Sequence, residues 1–362
     1  MESESPPMCR YMPRSYSDNS DASGTFSDCN SDRSGEFPSS PLSGGATSAS
    51  LHRILLSCAS VDSSDELIDS LVAELSSPSN DLESLRRATT ELRLLAKHNP
   101  ENRIRIARAG AVRPLISLLS HQDPILQENG VTALLNLSLC DENKAPIAEA
   151  GAIQPLVRAL KSGPTSAARE NAACALFRLS QLDGLATAIG RAGAIPLLVN
   201  LLETSGSRGK KDAATTLYSL CNGSRENKLQ AVQHGAVRPL LELMADSESG
   251  MVDKAAYVLY ALVTTSEGRD AVVQEGGIPV LVEMVEAGTE RQKEIATLAL
   301  LQICEESSTY RTMVAREGAI PPLVALSQSS NAKSKLKTKA EALIELLRQP
   351  RSASGRSRGA AE

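Results

Sequence analysis

Six times along this chain a glycine opens the same short phrase: Gly110-Ala-Val-Arg-Pro-Leu115, Gly151-Ala-Ile-Gln-Pro-Leu156, Gly193-Ala-Ile-Pro-Leu-Leu198, Gly235-Ala-Val-Arg-Pro-Leu240, Gly276-Gly-Ile-Pro-Val-Leu281 and Gly318-Ala-Ile-Pro-Pro-Leu323. Successive glycines are 41, 42, 42, 41 and 42 residues apart. A period of roughly 40–47 residues is that of α-solenoids, whose units stack to share one continuous core because none can bury its apolar face alone. The phrase therefore directs the functional question toward a long binding surface and away from a catalytic pocket.

Composition agrees with helices. Apolar residues make up 41% of the 362, yet aromatics are only 2% and Trp is absent, so the core must be aliphatic. A sheet would draw more heavily on β-branched and aromatic residues. A net charge of −5 argues against a bulk nucleic-acid binder. The opening Met-Glu-Ser-Glu-Ser has neither the basic nor the apolar run of a signal peptide, and no stretch approaches the ~20 apolar residues of a membrane span. None of the seven cysteines forms a C-x-x-C pair. Cys140, Cys174, Cys221 and Cys304 lie in or beside apolar helical stretches and read as buried thiols of a reducing compartment, the cytoplasm or nucleus.

Each repeat parses into three helices. A short first helix, such as 102–109 with Ile104 and Ile106, is closed by the glycine of the phrase, where a tight turn needs φ > 0. The residue after it must be small because two helices meet there. Pro114 and its equivalents fall in the first turn of the second helix, where a missing N–H costs little. That helix carries Leu115, Ile116, Leu118 and Leu119; a third, 125–139, carries Val131, Leu134, Leu135 and Leu137 at helical spacing. Three helices per unit, the shortest first, is the armadillo pattern. The expected fold is all-α, a right-handed armadillo solenoid of about six repeats at 102–139, 142–181, 184–223, 226–264, 267–305 and 309–348. Residues 63–100 read as an N-terminal partial repeat whose first helix is opened by the capping box Ser63-Ser-Asp-Glu66. Residues 1–62, with 14 serines in the first 50, and the basic tail 349–362 are expected to be disordered. A short amphipathic helix is expected around Leu51–Cys58, and Ser5-Pro6 and Ser40-Pro41 are candidate phosphorylation sites.

Nothing in the chain has the spacing of a catalytic, metal or cofactor motif, and the four histidines fall in different units or links. No cofactor and no small-molecule substrate is expected. Carboxylates such as Glu128 and Glu170 are expected on helix exteriors or in first turns, where they complement the dipole.

Third helices of an armadillo array lie side by side along a groove. Aligning them gives one groove position per unit: Leu94, Asn136, Arg178, Ser219, Ala261 and Gln302. Phe177, Tyr218 and Tyr260 stand just before it in three successive units, and Tyr257 lies one turn behind Tyr260. With Asn136, Arg178 and Lys211 these aromatics form the candidate partner-binding surface, since aromatics beside cations are enriched at hot spots. The same position can instead fill the seam between neighbouring helices, and both roles stay open. Importin-alpha arrays resemble this one in period, but their groove repeats a Trp–Asn pair. This chain has no Trp, and Asn136 is the only Asn in that register.

The strings Ala88-Thr-Thr-Glu-Leu-Arg-Leu-Leu-Ala-Lys-His-Asn99, Gln127-Glu-Asn-Gly-Val-Thr-Ala-Leu-Leu-Asn-Leu-Ser138, Arg208-Gly-Lys-Lys-Asp-Ala-Ala214, Gly250-Met-Val-Asp-Lys-Ala255 and Gln274-Glu-Gly-Gly-Ile-Pro-Val-Leu-Val-Glu283 resemble plant U-box ubiquitin ligases with C-terminal armadillo repeats. The resemblance covers about 64–348. It implies that the repeats bind substrates or regulators, with a separate U-box of about 70 residues recruiting the ubiquitin-conjugating enzyme. The first 62 residues are too short and too Ser-rich to be that U-box. The resemblance therefore implies a non-enzymatic scaffold, with ubiquitin-pathway components or kinases as partners. The alternatives are the substrate-recognition part of a ligase and a phosphorylation-regulated adaptor for a receptor kinase.

Overall fold

The computed structural model describes residues 61–77, 81–330 and 332–349. The expected helix at 51–58 and the candidate sites Ser5 and Ser40 lie outside them. Two helices come first, α1 (Val61–Ser76) and α2 (Leu82–His98). Six three-helix units follow: α3 (Pro100–Arg108), α4 (Val112–Leu118) and α5 (Pro124–Leu137); α6 (Asp141–Glu149), α7 (Ile153–Ser162) and α8 (Ser166–Ser180); α9 (Leu185–Arg191), α10 (Ala194–Thr204) and α11 (Ser207–Cys221). Then come α12 (Arg225–Gln233), α13 (Val237–Ala245) and α14 (Val252–Val263); α15 (Ser266–Gln274), α16 (Gly277–Ala287) and α17 (Glu290–Glu305); and α18 (Ser308–Arg316), α19 (Ile320–Gln328) and α20 (Ser334–Arg348). No strand occurs among the described residues.

The repeated phrase does what its residues suggest. All six of its glycines have positive φ, between +75° and +90°, so each first helix ends in a left-handed turn. The residue after each glycine sits where helices cross. Ala111, Ala152, Ala194, Ala236 and Ala319 are 0% exposed, and at Gly277 a Cβ would lie 2.5 Å from Val272 Cγ1. Three aliphatic columns run through the units at the same period. First helices supply Ile106, Ile147, Ile189, Ala231, Val272 and Val314; second helices supply Leu115, Leu156, Leu198, Leu240, Leu281 and Leu323; third helices supply Leu92, Leu134, Leu176, Leu217, Leu259, Leu300 and Leu343. All are buried in one contiguous cluster, each large member contributing about 1.5–3 kcal/mol.

The third-helix series α2, α5, α8, α11, α14, α17 and α20 packs each member on the next, and this seven-helix stack is the backbone of the array. Its ends are polar: α1 exposes Asp65, Glu66 and Asp69, while α20 exposes Lys335, Lys339, Glu341 and Glu345. A solenoid needs such faces to stop without leaving its core open.

Three expectations need correction. Helix α1 begins at Val61, so Ser63 lies inside it and does not cap it; helix ends read from sequence are uncertain by a residue or two. A complete capping box is instead found at Thr289 and Gln292, opening α17. The first helix is shortest in only three units, because α3 has nine residues against seven in α4, and two units have equal pairs. Cys174, Cys221 and Cys304 are buried, with burial pushing the latter two thiols up to about 12. Cys140 is only half-buried because it precedes α6 in a link.

Candidate functional site: the third-helix face

Neighbouring third helices meet along a diagonal in which a residue faces the one 39 positions later. Asn129 Nδ2 donates to Thr90 Oγ1 at 3.0 Å, Asn171 Nδ2 to Thr132 Oγ1 at 2.8 Å, and Gln292 Nε2 to Asp253 Oδ1 at 2.8 Å. The Ser180 and Ser219 hydroxyls are 2.7 Å apart. Tyr218 and Tyr257 use the same diagonal for an edge-on ring contact, centroids 6.1 Å apart at 68°. Bonds to backbone cross the other way: Asn136 Nδ2 to Arg93 O at 3.2 Å and Thr216 Oγ1 to Ala173 O at 3.1 Å.

These contacts sort the candidate residues. Asn136 is 1% exposed and Phe177 5% exposed, so both lie in seams, alongside Leu135 and Leu301. The Arg178 guanidinium carbon lies 5.4 Å from the Phe177 ring centroid. Arg178, Lys211, Tyr218, Tyr257 and Tyr260 are half-buried on the consecutive helices α8, α11 and α14. The Tyr218 hydroxyl is pushed up in pKa, first by burial and then by Tyr257 and Tyr260, so the three tyrosines form one cluster.

Beside them is a charged group that sequence reasoning misplaced. Glu170, expected on a helix exterior or in a first turn, is 8% exposed, and Asp212 is 5% exposed. The residue 208 guanidinium lies 3.5 Å from Glu170, 3.7 Å from Asp212, and donates to Asn171 Oδ1 at 2.6 Å, so Arg208 links α8 to α11. Burial, the largest cause, pushes Asp212 up to about 6 against the opposing hydrogen bond from Cys174 and the charge of Arg208. Glu170 is likewise raised by burial.

A second ladder escaped sequence reasoning altogether. First helices reach the end of their own unit's third helix through Lys144 Nζ to Gln181 Oε1 (2.6 Å), Lys228 Nζ to Thr264 Oγ1 (2.8 Å), the Arg269–Glu306 ion pair, and Arg311 Nη1 to Gln349 Oε1 (2.8 Å), while Thr187 Oγ1 donates to Ser224 Oγ, the N-cap of α12 (3.2 Å). Arg103 Nε also caps Ala96 O at 2.7 Å, as Arg311 Nε caps Cys304 O at 2.7 Å, satisfying third-helix carbonyls with a cation. The recurrent signal was Glu-Asn-Arg/Lys at 101–103, 142–144 and 226–228.

The model of the plant U-box protein ARM repeat region matches residues 66–355. The chain belongs to this family. E3 ubiquitin-protein ligase SPL11 of Oryza sativa subsp. japonica is 56% identical over 75 residues, 21% of this chain and 10% of that protein. U-box domain-containing protein 4 of Arabidopsis thaliana is 55% identical over 74 residues, 20% of this chain and 9% of that protein. The chain thus matches about a tenth of the length of these relatives. Among solved structures, an engineered protein superposes with a TM-score of 0.67 at 27% identity, covering 78% of this chain and 68% of its own. A designed armadillo repeat protein in complex with the peptide (KR)4 superposes with a TM-score of 0.57 at 21% identity, covering 65% of this chain and 99% of its own. The fold is the armadillo solenoid. No single helix among the described residues is long and apolar enough to cross a membrane.

Proposed function

We propose that this family member is a non-catalytic interaction scaffold that holds a protein partner along its concave third-helix groove, in the ubiquitin pathway or plant signalling, in the cytoplasm and nucleus. The observation that carries this is the half-buried cluster Tyr218, Tyr257 and Tyr260 with Arg178 and Lys211 nearby. Such residues are over-represented where binding energy concentrates. Partners are found by proximity labelling, and each purified candidate is then titrated against the parent chain and Arg178→Glu/Lys211→Glu. A partner lost by the variant at unchanged melting temperature supports the groove; equal affinity for both chains overturns it.

A second reading is favoured by the names of the relatives: this array is the substrate-recognition part of a ubiquitin ligase. Its own transfer activity is read by incubating the purified chain with ubiquitin, activating enzyme and conjugating enzyme alone. Ubiquitinated chain in that mixture replaces the scaffold reading with the ligase one.

A further inference from the structure

Arg93 on α2 stands in the column that Phe177, Tyr218 and Tyr260 occupy on later third helices. The seam fixes its backbone, because Asn136 Nδ2 on α5 donates to Arg93 O at 3.2 Å. Its side chain is half-buried, and its Nε is enclosed with no hydrogen-bond partner among the described residues. An enclosed donor without an acceptor is rare in folded chains, since it gives up water and gains nothing in return. Burial also pulls the guanidinium pKa down, with the charge of Glu128 opposing.

Glu128 does not supply the missing acceptor. Its Oε2 accepts from the hydroxyl of Thr165, the N-cap of α8, at 2.6 Å. Other carboxylates of this face are engaged in the same way. Asp253 Oδ1 accepts from Gln292, while Glu170 and Asp212 are buried around Arg208. The cations are placed differently. Arg178 and Lys211 are half-buried on α8 and α11, and Lys211 acts on Asp212 through its charge. The acids are thus turned into the seams, while cations on α2, α8 and α11 keep part of their surface in solvent. Third helices pack roughly 8–10 Å apart, so α2 and α11, three steps apart, are separated by about 24–30 Å. Extended chain covers about 3.3–3.6 Å per residue, so a segment of about eight or nine residues spans them.

We propose that Arg93 is the N-terminal anchor of the groove, pairing its guanidinium with a carboxylate of the partner, and that the partner segment is acidic and extended, running from Arg93 past Arg178 to Lys211. The inference rests on the groove reading above and names the partner's chemistry. A carboxylate accepts parallel N–H···O bonds from the planar guanidinium and neutralises a charge that no acceptor within the chain meets. Complementary charge along the face then sets which segments are taken up and in which register.

The test is fluorescence anisotropy of a labelled peptide of about nine residues, glutamate alternating with threonine, against a control with glutamine in place of glutamate. The parent chain binds the glutamate peptide at least ten-fold more tightly than the control, and added salt weakens that binding. Arg93→Gln loses at least ten-fold at an unchanged melting temperature. Arg93→Lys, which keeps the charge without the planar fork, falls between the two. Equal binding of the two peptides, or binding of neither, overturns the acidic partner. An Arg93→Gln chain equal to the parent, or a loss that Arg93→Lys does not partly restore, overturns Arg93 as the anchor. The groove reading is judged separately, on partners from proximity labelling and Arg178→Glu/Lys211→Glu, so the two failures are distinguishable.

Discussion

Asn171 donates from Nδ2 to the hydroxyl of Thr132 at 2.8 Å, across the seam between α8 and α5, and both residues are almost fully buried. The Thr132 hydroxyl in turn donates to Glu128 O at 2.7 Å, and Asn171 Oδ1 accepts from Arg208 on the next third helix, so one amide couples three units. Replacing it with Leu keeps the volume and strands its partners, which costs about 1–3 kcal/mol. Asn171→Leu should lower the denaturation midpoint by that amount, and a cycle with Thr132→Val should show coupling between the two sites. Strict additivity would show that the rung carries no energy of its own.

Two buried aspartates should respond to pH in opposite senses. Asp212 titrates at about 6 in the folded chain against an ordinary 3.8, so the folded state binds its proton more tightly than the unfolded state. The ionised carboxylate is then a destabilising load at neutral pH, relieved as pH falls through 6 toward 4; a two-unit shift is worth at most about 3 kcal/mol. Asp212→Asn should melt higher than the parent at pH 7.5, with the gap closing by pH 4.5. A gap that stays constant with pH removes the desolvation argument.

Asp123 is the mirror case. Its hydrogen-bonded pairing with Arg86, together with the Leu126 amide it caps, holds its pKa below the ordinary carboxylate value. Its contribution is therefore fully present above that ordinary value and is lost as pH falls through the lower folded value. Asp123→Asn keeps the cap and removes the ion pair, so it should melt below the parent at pH 7 and converge with it as pH falls through the lowered folded value. Curves that coincide at every pH would show that the cap, not the charge, matters there.

The same seam explains what the sequence could and could not disclose. Glycine, alanine and leucine columns are written at the period of the repeat, and each needs only its own unit to be understood, so the helix triplets were legible. A rung such as Asn171–Thr132 depends on how far one helix slides past the next, and that offset of 39 is a property of packing, not of either helix. Glu170 illustrates the consequence: alone it reads as a first-turn carboxylate, and only the neighbouring Arg208 reveals it as buried. The tyrosines were found because aromatics are rare, yet Phe177 in the same column proved to fill a seam.

Gly190 shows how closely first helices approach. A Cβ there would sit 1.9 Å from Asn227 Oδ1, and Asn227 cannot yield because its Nδ2 donates to Ala186 O at 2.9 Å and Leu220 O at 2.7 Å. Gly190→Ala should cost at least about 1–3 kcal/mol as an overpacked contact. Gly206 has a φ of −71° and nothing within 4 Å of its Cβ position. Gly206 is the N-cap of α11, where Ala caps less well than Gly, and that offsets an unfolded-state gain of about 0.4–1 kcal/mol, so Gly206→Ala should be close to neutral. Equal melting temperatures for the two variants would contradict the close approach.

Phe177 and Arg178 are adjacent in sequence but should separate cleanly in experiment. Phe177 is 5% exposed, so Phe177→Ala should lose about 3–5 kcal/mol of stability as a core truncation. Arg178 is half-buried, and its planar group lies over that ring. Arg178→Glu combined with Lys211→Glu should leave unfolding nearly unchanged and abolish partner binding in the same preparation. A Phe177→Ala chain that melts like the parent would move the ring out of the seam and back among the contact residues. A charge-reversed chain that melts early would assign Arg178 to the seam instead, and would leave the tyrosines as the face a partner meets.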